Sequence, residues 1–468
     1  MSVDPDFDVV VIGGGGAGLA AAVSAAEAGA GVLIVEAGTE VGGSTALSGG
    51  SFMAAGTPQQ VEQGHPGDSA DAFFDHYLTF NRWDVEPAVA RRFCDAALPT
   101  MEWLTGLGVR FPAAGLYRAT RESAPRSHRP EGAGPAIVEA LHRAARAREV
   151  DIALGKRVDR LAFDAAADVY AVHAGTDMVT ARSVVVTTGG FGANRDLVQA
   201  HIPDAEGDGV WSPSAATCQG DGLRLVASLG AATAGENRAD LLLSAGLVRE
   251  IEPYPPAWLL IVGRHGRRIV DEAAPYAVLT PLAIEHGPAW VVLDEAMLRS
   301  AAGTGNPVWG PGTWTADVLR AGIASGRVVS AGSVRELAVA TDLPAAALQA
   351  TVERYNASCA AGRDAEFLKK PEGLVAVTEA PFHAVRLRPS VVALTGFGLR
   401  IDRDARVVGE QDGEPLPRLY AAGEVTGNVI GPQYLGGGNA IGSALIFGRI
   451  AGMCAAADRN PALSEATR

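Results

Sequence analysis

Phe7 to Ile12 is a short β-branched run that leads directly into Gly13-Gly14-Gly15-Gly16-Ala17-Gly18. An alanine-rich stretch from Leu19 to Ala28 follows, then Gly29, then a second apolar run, GVLIVE, ending at Glu36. No other segment limits the fold so tightly. A continuous apolar run of this length suits a buried parallel strand, the alanines favour helix, and the whole has the size of one βαβ unit. In the GxGxxG pattern Gly13 permits the tight turn, Gly15 lets backbone N–H groups approach a diphosphate, and Gly18 allows close packing of helix on strand. The helix N-terminus then faces the diphosphate with its partial positive charge. Glu36 closes the second strand, where a carboxylate accepts both ribose hydroxyls and disfavours a 2′-phosphate. A glycine turn in an unrelated sheet is the bland alternative. The strand before, the helix after and the acid in place argue against it.

The segment after Glu36 separates FAD from a nicotinamide. Val41-Gly42-Gly43-Ser44-Thr45-Ala46-Leu47-Ser48-Gly49-Gly50 is a second run of small residues, fit to pass beneath an isoalloxazine or the second phosphate. Gly423-Glu424, after LYAA, is a third. A nicotinamide enzyme does not need three glycine-rich backbones converging on one cofactor, so the expected cofactor is FAD.

Composition narrows the rest. The chain has 468 residues, 48% apolar and 20% charged, which suits two or three domains or one domain with a large insertion. A net charge of -14 argues against nucleic acid and anionic membranes as partners. Cys94, Cys218, Cys359 and Cys454 form no CxxC pair, so zinc, iron–sulfur and thioredoxin-like readings are weak, and free thiols fit a reducing cytoplasm. The start, MSVDPDFDVVVIGG, lacks the basic region of a signal peptide, and the glycines interrupt its apolar run too early for a membrane span. A cytoplasmic protein without an integral membrane segment is therefore expected. His173, His201 and His265 lack ligand spacing, so no metal is expected.

Along the chain, helices are expected over residues 71–78, 87–104, 135–148 and 443–456, and strands over 152–154, 169–173 and 183–187. The last strand enters Thr188-Gly189-Gly190-Phe191-Gly192, a second strand running into a glycine turn. From about residue 237 to 395 the character changes, with Tyr254, Trp258, Tyr276, Trp290 and Trp309. Within it Trp258-Leu259-Leu260-Ile261-Val262 reads as a core strand and Arg267-Arg268 as a solvated turn. Upstream, Arg126-Ser127-His128-Arg129-Pro130 has the look of an anion site, but a loop fastened by arginine bonds is the better reading. The expected architecture is α/β: a Rossmann-like FAD-binding domain made of residues 1–236 and 396–468, with an inserted α+β substrate (cap) domain, 237–395, packed over the cofactor.

VVVIGGGGAGLAAA, GGSTALSGG, VVVTTGGFGAN, CQGDGLRLV, GRRIVDE and LYAAGEVTGN…GGGNAIGSALIFGRIAG occur in that order between residues 7 and 452. Together they resemble the fumarate reductase/succinate dehydrogenase flavoprotein superfamily. The resemblance implies FAD contacts at Gly13, Gly15, Ala17, Gly18, Glu36, Ala37, Gly43, Ser44, Thr45 and Gly50. It also implies them at Val158, Asp221, Gly423, Glu424, Ala440 and Ile441. Some members attach FAD to a histidine in the segment that reads GGSTALSGG here; this chain has none there, so its flavin is expected to be non-covalent.

The departures point to a subgroup. Fumarate reductases of this superfamily clamp a dicarboxylate with histidine and arginine in the C-terminal glycine motif and carry a proton-donating arginine shortly after the GRRIVDE segment. The corresponding residues here are Ile430, Tyr434 and Tyr276. Loss of charge-assisted, bidentate bonds costs a dicarboxylate several kcal/mol as an order of magnitude. DEAAPY and YLGGG, with TGN (Thr426 to Asn428) before the latter, are instead similar to the 3-ketosteroid Δ1-dehydrogenase branch. A chain somewhat short for that branch also suits a smaller cyclic ketone.

Desaturation beside a ketone removes a proton from the α carbon and a hydride from the β carbon, the hydride going to flavin N5. Two donors on the carbonyl oxygen make the α proton acidic enough to leave. The resemblance implies that the Tyr434 hydroxyl and the Gly438 N–H are those donors, Gly438 because a side chain would block close approach. Tyr276 is then the base. Free tyrosine has a pKa near 10, so its phenolate needs help, for which Tyr117, with Arg118 and Arg121, is the candidate. A structural tyrosine with its hydroxyl tied to backbone is the bland alternative for each. The expected substrate is a 3-ketosteroid or smaller cyclic ketone. An external electron acceptor is required, since no haem CxxCH or iron–sulfur spacing occurs. The alternatives are an ene-reductase running the reaction backward on an unsaturated ketone or acid, and a flavoprotein subunit that mainly binds a redox partner.

Overall fold

β1 (Phe7–Ile12), α1 (Gly16–Glu27) and β2 (Val32–Val35) form the βαβ unit that the N-terminal pattern dictates. In the computed structural model, which describes residues 4–120, 122–207, 209–249, 251, 255–301 and 312–458, β1 and β2 pair in parallel, with Val9 opposite Val32 and Ile12 opposite Val35. Arg121, Tyr254 and Trp309 lie outside the described residues. The chain divides into two compact units, one made of Met1–Pro203, Ser212–Asp240 and Ala393–Arg468, the other of Asp204–Trp211 and Leu241–Val392.

To the βαβ core the first unit adds β3 (Asp151–Ala153), the antiparallel run β4 (Arg160–Asp164), β5 (Val169–Ala174) and β6 (Asp177–Val186), then β7 (Arg406–Val408), β8 (Pro415–Ala421) and the helix α2 (Asn439–Ala457). The sheet order is β7-β8-β6-β1-β2-β3, with β5 on β6 and β4 on β5. β6 flanks β1 in parallel, Ile12 opposite Val186, and β8, from the far end of the chain, lies parallel to β6, Ala421 opposite Val186. This register brings the glycine turns after β1, β6 and β8, and Glu36 after β2, to the carboxyl end of one parallel sheet. Open α/β sheets bind their ligands there.

α2 closes the unit against α1. A Cβ on Gly448 would stand 2.4 Å from Ala17 O, and one on Gly452 would stand 2.1 Å from Ala21 O. Only glycine allows the two helices to approach this closely. By length and composition α2 is apolar enough to cross a membrane. Its buried side chains, Leu445, Ile446, Phe447 and Ile450 among them, belong to the core around β1.

The second unit is built on a five-stranded sheet ordered Ala239–Ser244, Phe382–Thr395, Ala289–Asp294 and Leu260–Val262, with Val328–Ala331 also on Phe382–Thr395. Leu259 to Val262 are fully buried, as a core strand requires. Two residues read together from sequence behave differently. Arg267 is exposed, but Arg268 is buried, which corrects the solvated-turn reading. Its guanidinium makes two bonds to Glu272, at 3.0 and 2.8 Å, and one to Asp364 at 2.8 Å. Lys369 Nζ meets the same Glu272 at 3.0 Å and donates to Leu259 O at 2.8 Å. Two cations and two anions thus neutralise one another away from water, the condition under which a buried charge is tolerated.

Candidate active site

The turn after β1 and the first turn of α1 hold the three glycines of the pattern, Gly13, Gly15 and Gly18, each present for its own physical reason. Gly13 has φ +107°, and a Cβ there would lie 2.5 Å from Thr187 O. A Cβ on Gly18 would lie 1.9 Å from Gly13 O. The fold itself requires both. A Cβ on Gly15 would meet only Gly42 O, at 4.0 Å, and Gly15 has an ordinary φ of -71°. Nothing among the described residues demands glycine there, whereas a diphosphate lying on the backbone does. Gly15 also caps α1 without a side-chain bond, so first-turn N–H groups face that space. This is the observation by which the residues present fit the diphosphate of FAD.

Several of the other residues expected at FAD pack on residues 13–18, and the rest are fixed by partners of their own. Glu36 accepts from the N–H groups of Gly14 and Gly38, both at 2.6 Å, which fixes its carboxylate at the end of β2 beside Ala37. Gly42 pairs with Gly15, and a Cβ on Gly43 would come 3.5 Å from Gly15 Cα. Thr45 Oγ1 accepts from Gly16 N–H at 3.3 Å. Ser44 Oγ lies 3.4 Å from Cys218 Sγ, a thiol whose burial pushes its pKa up to about 12, so it stays protonated. Gly50, at φ +67°, packs on the backbone of Ala133 and Gly134. Gly423, at φ +84°, packs against Ala17. Glu424 Oε1 takes Thr395 N–H at 2.8 Å and Thr395 Oγ1 at 2.9 Å; burial raises its pKa while these bonds oppose the rise. Asp221 is held by Arg157, next in the chain to buried Val158, and by Arg224 at 3.0 Å. Ala440 and Ile441 form the first turn of α2.

Around the 436–438 turn the first unit brings two of the candidate tyrosines together. Tyr434 Oη accepts from Ala440 N–H at 3.2 Å. Tyr117 Oη donates to Ser51 Oγ at 3.0 Å, and a Cβ on Gly437 would fall 2.1 Å from that hydroxyl. Tyr117 therefore packs on the glycine turn that follows Tyr434. Arg118 does not serve it, since its guanidinium donates to the carbonyls of Glu122 and Ser123. The cation over the Tyr117 ring is Arg129, 5.2 Å from its centroid. Gly438 caps α2 at φ +108°, and a Cβ would come 2.9 Å from Met53 N. Glycine is thus needed there by the fold as well as by any ligand. Among the described residues nothing accepts from the Gly438 N–H.

The arginine–proline loop is a fastened loop. Arg126 is buried against Asp68, with bonds of 2.9 and 2.5 Å, and His128 is held by Thr57 Oγ1 at 2.9 Å and Arg126 O at 2.8 Å. Asp68, 58 positions upstream of Arg126, has no motif that would have paired it from sequence. No cluster of His, Cys, Asp or Glu suited to a metal occurs among the described residues.

Tyr276 belongs to the second unit. It opens the helix Tyr276–Glu285, whose N-cap is Pro275, and it is 8% exposed. It lines a small pocket with Leu243, Leu279, Thr280, Trp314 and Leu387. Sequence reasoning missed Thr280, which follows Tyr276 by one helical turn and has no motif of its own.

Comparison with known proteins agrees with this geometry. The FAD binding domain family matches residues 8–441. The chain is 30% identical to the fumarate reductase (cytochrome) of Shewanella frigidimarina over 95% of its own length and 76% of that protein. It is 31% identical to the NADH:fumarate oxidoreductase of Klebsiella pneumoniae (strain 342) over 96% of its length, but spans only 48% of that protein. Among solved structures it resembles a 3-ketosteroid Δ4-(5α)-dehydrogenase of Rhodococcus jostii RHA1 in complex with 4-androstene-3,17-dione, with a TM-score of 0.79, 28% identity, and coverage of 97% of this chain and 98% of that one. With a family match over nearly the whole chain and a diphosphate cradle at the carboxyl end of its parallel sheet, this protein is a flavin-dependent oxidoreductase belonging to the fumarate reductase family of FAD-binding proteins.

Proposed function

We propose that this protein desaturates a ketone, introducing a C=C bond next to the carbonyl of a 3-ketosteroid or smaller cyclic ketone. One observation carries the reading. Around one glycine turn stand a phenol, Tyr434, and the Gly438 N–H, which has no acceptor among the described residues, and the positions where a dicarboxylate clamp belongs read Ile430 and Tyr434. The Tyr434 hydroxyl, which accepts from Ala440 N–H, is the first of the two proposed donors. Two such donors hold a carbonyl oxygen and stabilise it as charge develops. Tyr276 takes the α proton. Bound FAD supplies the acceptor for the β hydride. The likeness to a ketosteroid dehydrogenase over nearly all of both chains supports a cyclic ketone.

The flavin is held non-covalently, since residues 41–50 contain no histidine, and an external acceptor reoxidises it, in the cytoplasm. The reverse reaction, reduction of an unsaturated ketone or acid, is favoured by the identity to fumarate reductases. A dithionite-reduced protein reoxidised by an enone but not by a dye would support that direction. For the leading reading, Tyr434→Phe is expected to lower turnover by roughly 10²–10³-fold with FAD content unchanged. Near-normal turnover would remove Tyr434 from the chemistry.

A further inference from the structure

We infer that the pocket beside Tyr276 is a subsite for an uncharged, oxygen-bearing substituent of the substrate, with the Thr280 hydroxyl as its hydrogen-bond partner. The inference rests on the ketone reading, in which Tyr276 takes the α proton. Tyr276 and Thr280 are four residues apart on the helix Tyr276–Glu285, so their side chains share one face, and both line the same pocket. Thr280 is 3% exposed, and its buried Oγ1 has no hydrogen-bond partner among the described residues. Buried hydroxyls are nearly always satisfied, because the lost bond to water is otherwise not replaced.

The lining selects the missing partner. Leu243, Leu279, Trp314 and Leu387 make apolar walls, and no charged side chain stands among the described lining residues. A carboxylate would be stripped of water there with no cation to meet it. The partly open pocket, of about 20 Å³, has room for one water or one small oxygen group, and none for a ring. A hydroxyl both donates and accepts, so a carbonyl or an alcohol satisfies it equally. The substrate class this selects is a cyclic ketone bearing a second oxygen, a diketone or hydroxyketone, whose ring lies outside the pocket.

The test is calorimetric binding to the oxidised holoenzyme. A parent cyclic ketone is compared with its derivatives carrying a carbonyl or hydroxyl at each ring position in turn. In the wild type one derivative is expected to bind about tenfold tighter than the parent, the effect of one buried hydrogen bond. Thr280→Val should abolish that preference and Thr280→Ser should restore it. If no derivative beats the parent, or if Thr280→Val keeps the preference, the subsite is overturned. The hydroxyl then bonds its own helix carbonyl, as helical threonines do. Anaerobic flavin bleaching, recorded on the same samples, reports on the ketone reading separately. Ketones that bind without bleaching overturn that reading, and ketones that bleach without the Thr280 preference overturn only the subsite.

Discussion

Gly15, which caps α1, and Gly18, three residues on inside it, serve different ends. Gly18→Ala forces a Cβ to within 1.9 Å of Gly13 O, so it should destabilise the first unit by several kcal/mol, on the order of the worst overpacking substitutions. Gly15→Ala meets no atom closer than 4.0 Å. Its apoprotein should keep the wild-type apoprotein's unfolding midpoint within about a degree, while FAD affinity falls by roughly tenfold or more, as expected when backbone approach to a diphosphate is blocked. Flavin fluorescence on titration into apoprotein measures this, and normal affinity would move the diphosphate elsewhere. His128 gives a second handle. Burial pushes its pKa down to about 4, against the lift of its bond to the Arg126 carbonyl, whereas an unfolded histidine titrates near 6.5. Between those values the unfolded chain binds more protons, so the stability His128 allows is present above about pH 6.5 and is lost as pH falls, by about 2–3 kcal/mol at pH 4.5. Asp240, raised to about 7 by burial, works against folding as pH rises over much the same window. Only the difference between wild type and His128→Gln therefore isolates the histidine. In urea unfolding that difference should shrink in the variant's favour between pH 7 and pH 4.5, and a constant difference would contradict the assignment. At this scale the GxGxxG glycines and Glu36 were legible because each acts on neighbours close in sequence or in an adjacent strand. Arg129 over Tyr117 was not, because a cation over a ring has no sequence signature.

Among the elements, the ones read most surely were those whose period is local. β1 spans the residues its β-branched run suggested, and α1, β2 and α2 follow within a few residues of their expected bounds. Arg268 escaped because one of its carboxylate partners, Asp364, lies 96 positions away, and a charged residue between glycine and an apolar run looks solvated. The network makes a prediction of its own. Glu272→Ala leaves Arg268 and Lys369 buried with Asp364 and, at 3.7 Å from Arg268, the partly exposed Glu366, which should cost about 3–5 kcal/mol, read as a lowered denaturant midpoint for the second unit. A cost below about 1 kcal/mol would mean the cations are hydrated after all. Glu272 precedes Tyr276 by four residues, so the same network anchors the segment that leads into the tyrosine's helix.

For the whole molecule, fold and cofactor were legible because a dinucleotide cradle is written in glycines and in strand–helix order, which one sequence displays. Substrate is written in side chains that meet only after folding, and the chain's relatives include both dicarboxylate and ketosteroid enzymes. The ketone assignment depends on neutral donors standing where the family's cations bind a dicarboxylate. The sharpest check is anaerobic titration of the oxidised holoenzyme with a series of cyclic ketones, a 3-ketosteroid among them, and in parallel with succinate. At least one ketone should bleach the flavin absorbance while succinate leaves it unchanged; bleaching by succinate, with every ketone inert, would overturn the assignment.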